Sequence, residues 1–199
     1  MLSLINVDPN YIEFLKQDSR LKNVMDSKIA LSTNGGRKYI GVCITVNNYN
    51  YYVPIHKGSK EMLKKGKSYS DSNGIKKIKR SKFDVEFIET DSSGNEKLTS
   101  ILKAAYMIPV PSCAIINYDI NTEPNPKVKR DFTDLMNWCN KLKNTQSIMN
   151  RCSYLYDTKI KVLSNQIKEL TENEINYSKY WLDYLLLQQK CDEWEASHK

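Results

Sequence analysis

The sequence predicts an α+β fold, an antiparallel sheet followed by a helical part. Two observations carry this. Stretches of alternating or β-branched apolar residues are grouped before residue 111, whereas apolar residues at helical spacing dominate after residue 124. Strands alternating with helices would argue a parallel βαβ sheet; grouped in this way, they argue segregated layers. With 199 residues the chain is expected to form a single domain, with a mainly β core over 1–111 and a helical part over 124–199. No internal repeat is visible.

Asp8-Pro9 supplies an N-cap followed by a proline at the first helical position, and Ile12, Phe14 and Leu15 give a short helix an apolar stripe to about Arg20. Asn34-Gly35-Gly36 is a turn signal. Tyr39–Val46 is rich in β-branched residues and reads as a buried strand, and after a turn at 47–50 the segment Tyr51–Ile55 returns as its partner. Pro54 has no N–H to give a ladder, so it belongs at an edge or at the strand's end. Over 56–82, Gly58, Gly66 and Ser70–Gly74 prevent a long regular element. Phe83, Val85 and Phe87 alternate with Asp84 and Glu86, the period of a half-buried strand. Asp91–Asn95 is a hairpin turn, and Leu98–Val110 returns as one strand ending at Pro109 and Pro111. Beyond the breaker Glu123-Pro124-Asn125-Pro126, helical patterns run over Lys127–Cys152, Lys159–Leu170 and Glu172–Glu195. The tyrosines and tryptophans of the last segment, at i, i+3, i+4 and i+7, are read as a packing face rather than a base-stacking surface.

Hydrophobic residues make up 40% of the chain, which is too many for wholesale disorder. No apolar run approaches the ~20 residues that span a bilayer, and Met1–Asp8 lacks the basic start of a signal peptide, so a cytoplasmic protein is expected. The five cysteines (Cys43, Cys113, Cys139, Cys152, Cys191) include no C-x-x-C pair and sit among apolar or helical residues, so all five are expected to be buried and reduced. With only His56 and His198 and no acid cluster, neither a zinc site nor a magnesium site is expected, and no cofactor is called for. Glycine-rich phosphate loops and the G-x-S-x-G and H-E-x-x-H patterns are missing too.

The net charge of +7 is concentrated. Between His56 and Lys82 stand ten basic residues (Lys57, Lys60, Lys64, Lys65, Lys67, Lys76, Lys77, Lys79, Arg80, Lys82) against two acids, a local +8 that leaves the remainder at −1. Such a field attracts polyanions, although lysine-rich loops also occur simply as solvated surface. Phosphodiester chemistry without a metal is open to RNA, whose 2′-hydroxyl attacks the neighbouring phosphate. The protein then supplies a proton acceptor, a proton donor and cations around the phosphorane. His56-Lys57-Gly58-Ser59-Lys60, directly after a strand, offers these types together: a histidine that titrates near neutral pH, cations, a hydroxyl, and a glycine that lets backbone approach a phosphate.

Four stretches resemble the ToxN/AbiQ family of type III toxin–antitoxin and phage abortive-infection proteins. Tyr11-Ile12-Glu13-Phe14-Leu15-Lys16 is similar to its Y-I-x-[YF]-L-K helix, and Arg37-Lys38-Tyr39-Ile40-Gly41-Val42 to its [KR]-x-[FY]-I-G-[IV] strand. Tyr52-Val53-Pro54-Ile55 resembles its Y-x-[AV]-P-[LI] strand ahead of the active loop, and Met107-Ile108-Pro109-Val110 its M-I-P-[IV] strand. The helix start Asn125-Pro126-x-x-x-Arg130 follows in the family's order, so the likeness covers residues 11–151, with a weaker match beyond.

The resemblance implies a strongly twisted antiparallel sheet with a MazF/Kid-like barrel core, surrounded by helices. It also implies metal-independent endoribonuclease activity and two kinds of RNA partner. One is cellular or phage transcripts as substrate; the other is a small repeat RNA antitoxin that the toxin processes and that inhibits it. Closed toxin–RNA assemblies or a homo-oligomer are implied, and no membrane. The catalytic set it suggests is Ser59, Lys60, His56, Lys57 and Arg37. The RNA-binding set is Tyr11, Lys38, Tyr39, Lys64, Lys65, Lys76, Lys77, Lys79 and Arg80. Family members carry Thr/Ser-Ser-x-Lys directly after the P-[LI] pair, where this chain reads His56-Lys57-Gly58-Ser59-Lys60. Either Ser59 and Lys60 fill those roles after a two-residue shift, or His56 and Lys57 have taken them over. A non-catalytic RNA-binding regulator explains the charge equally well, and a helical oligomerisation protein is a third reading.

Overall fold

The chain opens on a strand that the sequence reading passed over. In a computed structural model, which describes residues 1–25, 37–62 and 66–198, β1 (Ser3–Val7) lies inside the main sheet. Five residues are too few for a periodic signal to tell strand from buried helix. Asp8 then caps α1 (Pro9–Lys16) as expected, its carboxylate accepting from Asn10 N at 2.8 Å; the helix stops at Lys16, and the chain reaches Arg20 through a separate 3-10 turn, Ser19–Leu21. The turn expected at Asn34-Gly35-Gly36 lies outside the described residues.

β2 (Lys38–Val46) and β3 (Tyr49–Lys57) form the predicted hairpin. Asn47 and Asn48 both take left-handed conformations, φ 50° and 68°, as a two-residue turn matched to strand twist requires. Within β2 the backbone of Gly41 lies against the ring of Tyr52, where a Cβ would fall 1.9 Å from a ring carbon. A one-turn helix α2 (Gly58–Glu61) and a short hairpin, β4 (Ser68–Ser70) with β5 (Lys76–Ile78), occupy the basic stretch. They are followed by β6 (Val85–Thr90) and β7 (Glu96–Leu102). The single strand expected over Leu98–Val110 is interrupted: a 3-10 turn at Ala104–Tyr106 separates β7 from the two-residue β8 (Ile108–Pro109). A further short strand, β9 (Ile115–Asn117), was also missed.

All described pairings are antiparallel. The main sheet runs β6-β7-β3-β2-β1-β9, with β8 added to β3. Its outer strands β6 and β9 do not pair with each other, so the sheet is open, and the barrel closure that the resemblance implied is corrected to an open sheet. Closure needs every strand to pair on both sides; here both ends of the path are edges.

The helical part is cut differently from the expected segments. The pattern over Lys127–Cys152 belongs to two helices, α3 (Pro126–Cys139) and α4 (Leu142–Leu163). Between them Asn140 turns aside and pairs its amide with the backbone of Leu2, accepting from Leu2 N at 2.8 Å and donating to Leu2 O at 3.1 Å. That contact ties the helix break to the residue just before β1, a partner 138 residues away. Glu172–Glu195 likewise divides into α5 (Glu172–Ser178) and α6 (Tyr184–Ser197), the second capped by Asp183.

Sheet and helices share one core. Ile148, Cys152, Leu155 and Tyr156 of α4 lie against Tyr39, Ile40, Cys43 and Tyr51, and Gln188 of α6 donates to the hydroxyls of Tyr51 and Tyr156, both at 3.0 Å. Trp181, Tyr184 and Trp194 are buried, so most of the C-terminal aromatic stripe packs inward, whereas Tyr177 and Tyr180 are exposed. A smaller cluster of Ile78, Leu98 and Ile101, joined by Met62 and Ile88, seats α2 and the β4–β5 hairpin on the β6–β7 ribbon. Four cysteines are buried and all five are free, but Cys113 is exposed on a 3-10 turn, which corrects the expectation of five buried thiols. Among the described residues no helix is long and apolar enough to cross a membrane, and no group of three or more His, Cys, Asp or Glu is gathered as a metal would need.

Candidate active site

The register of β2 on β3 matches Tyr39 with Pro54, and continued by two residues it sets Arg37 beside His56 at the end of the hairpin. The guanidinium is held there by donating from Nη1 to Ile55 O at 2.9 Å. On the other side of β3, His56 faces Ile101 and Lys57 faces Ser100 of β7. His56 is half-buried and Lys57 is exposed. The chain then turns at once into α2, which exposes Ser59 one residue beyond Gly58. Arg37, His56, Lys57 and Ser59 are thus brought to one end of β3 by a strand register and a single tight turn. The backbone of Lys60 belongs to that turn as well. Lys64 and Lys65 lie outside the described residues.

Gly58 fixes how closely α2 sits on β7. A Cβ there would stand 2.1 Å from Leu98 O and 2.5 Å from its carbonyl carbon, a collision with backbone that no rotamer change relieves. Gly58→Ala is therefore expected to cost about 1–3 kcal/mol, the usual penalty for overpacking, and to lift Ser59 from its place. Urea unfolding measures this; wild-type stability would mean that α2 is free to leave the strand.

The β4–β5 hairpin stands beside this end of the sheet and is fastened by acids and amides of β6, β7 and their turn. Lys67 pairs with Glu86 and also donates to Lys79 O at 2.8 Å. Glu96 accepts from Ile78 N at 2.9 Å and from Arg80 at 3.1 Å, while Asn95 Oδ1 accepts from Lys76 N at 3.0 Å. Lys77 donates to Gly94 O at 3.1 Å. Lys77 and Arg80 of the proposed RNA-binding set thus also hold the hairpin in place, and Lys76, Lys79 and Arg80 are exposed along or just after β5. The anchoring roles of Asn95 and Glu96 escaped sequence reading. Their partners lie 16 to 19 residues upstream, and no periodic pattern links a turn residue to a strand that far away.

Three residues of the RNA-binding set are corrected. Tyr11 is fully buried: its hydroxyl donates to Pro109 O at 2.8 Å, its ring lies 5.4 Å from that of Trp194, and burial pushes its phenol far above the ordinary range. Tyr39 is 1% exposed, with its hydroxyl donating to Met25 O at 3.3 Å. Lys38 is 3% exposed, donates to Asn6 Oδ1 at 2.6 Å and lies 4.0 Å from the ring centre of Tyr118. Burial lowers the Lys38 ammonium pKa, and the nearby Glu123 opposes that shift. Lys38 and Tyr39 are core or inter-strand groups because β2 has neighbours on both sides and helices over it, and Tyr11 is covered by α6 and β8.

Solved structures that resemble this fold along nearly its whole length include the following three. One, from bacterial type III toxin–antitoxin systems with selective toxin inhibition by a non-coding RNA pseudoknot, has a TM-score of 0.68 at 20% identity and covers 98% of each chain. A second, from a bacterial antiviral system regulated by a processed non-coding RNA, gives 0.65 at 18% identity, over 96% of this chain and 98% of the other. The third is AbiQ, a lactococcal anti-phage endoribonuclease of the type III toxin–antitoxin system, at 0.63 and 21% identity over 98% and 99%. No curated protein matches by sequence. The family model for toxin ToxN of the type III toxin–antitoxin system matches residues 3–191, almost the entire chain, and the protein belongs to that family.

Proposed function

We propose that this chain is a cytoplasmic endoribonuclease toxin that cuts RNA without a metal and is restrained by a repeat RNA antitoxin that it processes, acting in phage abortive infection. The observation that carries the reading is the convergence of Arg37, His56, Lys57 and the exposed Ser59 at one end of β3, in a chain of the ToxN family. Further support comes from the relatives. AbiQ is an endoribonuclease, and the other two similar structures concern inhibition by an RNA pseudoknot and regulation by a processed RNA.

In the proposed reaction the 2′-oxygen attacks the adjacent phosphorus, its proton passes to a base, the bond from phosphorus to the 5′-oxygen breaks, and that oxygen takes up a proton. The imidazole of His56 can both accept and donate a proton, as these transfers require. Lys57 and Arg37 stabilise the charge that develops on the phosphorane, and Ser59 hydrogen-bonds a phosphate oxygen. Lys60 joins them on the strength of the family resemblance. The products are a 2′,3′-cyclic phosphate and a free 5′-hydroxyl.

The test is incubation of the purified protein with an A-rich RNA in excess EDTA, with identification of the new ends. Discrete fragments ending in cyclic phosphate are expected. Intact RNA, from folded protein free of copurifying RNA, would overturn the reading in favour of a non-catalytic RNA-binding protein.

A further inference from the structure

Helix α4 carries two stripes. Ile148, Cys152 and Leu155 are buried in the main core. One step around the helix, Lys143, Gln146, Asn150 and Tyr154 recur at spacings of three and four and, with Arg151 beside them, form one wall of a cleft of about 810 Å3. The other wall is the segment that enters β6, with Lys82 at its lip. A polar helix face is usually just solvated surface. Here it is opposed by a second element, and every lining side chain is a cation, an amide, a hydroxyl or a phenol, with no carboxylate among them.

Contacts within the protein hold both walls. Ser81 accepts from the backbone N–H groups of Phe83 and Asp84 at 3.2 and 3.1 Å, and the Phe83 ring packs 4.8 Å from Tyr177 and 5.2 Å from Trp181. On α4, Gln146 donates to Asn150 Oδ1 at 2.7 Å, which keeps two amides side by side, and Tyr154 is held by its bond to the Glu174 carboxylate. The cleft also continues the basic stretch. The β4–β5 hairpin, with Lys76 and Lys79 exposed, runs directly into Ser81 and Lys82. At its base, Val85 of β6 is opposite Leu102, which is opposite Ile55 next to His56. Two strand spacings, ~10 Å, thus separate the start of β6 from the end of β3.

We infer that this cleft is a binding site for a single-stranded segment of RNA, outside the cutting loop and connected to it by the hairpin. The choice of RNA as ligand rests on the proposed function; the choice of a single strand rests on the lining. Cations on both walls suit phosphates, an aromatic ring suits an unstacked base, and paired amides suit base edges, all of which a duplex keeps out of reach.

The test is binding of a 2′-O-methylated single-stranded RNA, which cannot be cut, measured by fluorescence anisotropy across a salt series. Replacing Lys82, Lys143 and Arg151 together by alanine is expected to lower the salt slope of binding by about 2, at ~0.7 per lost phosphate contact. Tyr154→Ala is expected to weaken binding roughly five- to 150-fold and Tyr154→Phe hardly at all, as loss of one stacked base predicts. Thermal unfolding of each variant is compared with wild type, so that a folding defect is not mistaken for lost contact. If wild-type protein binds and cuts RNA while the triple variant binds with unchanged affinity and slope, the cleft assignment falls and the proposed function stands. If binding depends on the cleft but RNA is never cut, the cleft stands and the catalytic reading falls.

Discussion

Ser59→Ala and His56→Ala are each expected to slow RNA cleavage by about 100-fold or more, the usual range for loss of a proton-transfer group or of a preorganised phosphate contact. Ser59 is exposed on α2 and touches no core, so its loss should leave the unfolding temperature unchanged. This separates a chemical defect from a structural one. The pair also decides which part of the loop does the work. If Ser59→Ala and Lys60→Ala are inactive and His56→Ala is not, the family's serine and lysine roles have moved two residues along the chain. If His56→Ala and Lys57→Ala are the inactive ones, a histidine and lysine at the strand's end have replaced them. Wild-type cleavage by all four variants would mean that the reacting groups lie elsewhere.

Tyr11→Ala is expected to destabilise the protein by about 3–5 kcal/mol, as truncating a fully buried aromatic does. The residue is 0% exposed and joins three parts of the molecule: its own helix α1, Pro109 through the hydroxyl, and Trp194 of α6 through the ring. Tyr11→Phe keeps the ring and leaves the buried Pro109 carbonyl without this donor, a loss of about 1–3 kcal/mol. Urea unfolding and RNA binding measured on both variants separate burial from contact with RNA. Burial predicts that Tyr11→Phe loses stability and keeps its affinity for RNA; reduced affinity at unchanged stability would return Tyr11 to the RNA-binding set.

The candidate site was more legible than the surface around it. A histidine, cations and a serine directly after a strand are neighbours along the chain, and a tight turn keeps neighbours together, so His56, Lys57 and Ser59 could be named without coordinates. Arg37 could be named only from the family's strand motif; what brings it to His56 is the β2–β3 register, a non-local property. Tyr11, Lys38 and Tyr39 were misjudged for the converse reason. Whether a tyrosine or lysine near the candidate site faces solvent depends on which elements cover it, and those come from residues 80 to 183 positions away.

Local physics accounts for an α+β class, the hairpin with its turn at 47–50, the Asp8 cap, the concentration of charge over 56–82 and the run His56–Lys60 that holds the candidate catalytic residues. Each follows from residues within a turn or a few periods of one another. The tertiary structure, by contrast, leaves the sheet open, pairs Asn140 with Leu2 between two helices, and anchors the basic hairpin through Glu96. It alone set Lys82 opposite α4 across a cationic cleft. These arrangements depend on hydrogen bonds and packing between residues far apart in the chain, whose pairing is selected by the burial of the whole core rather than by any local preference.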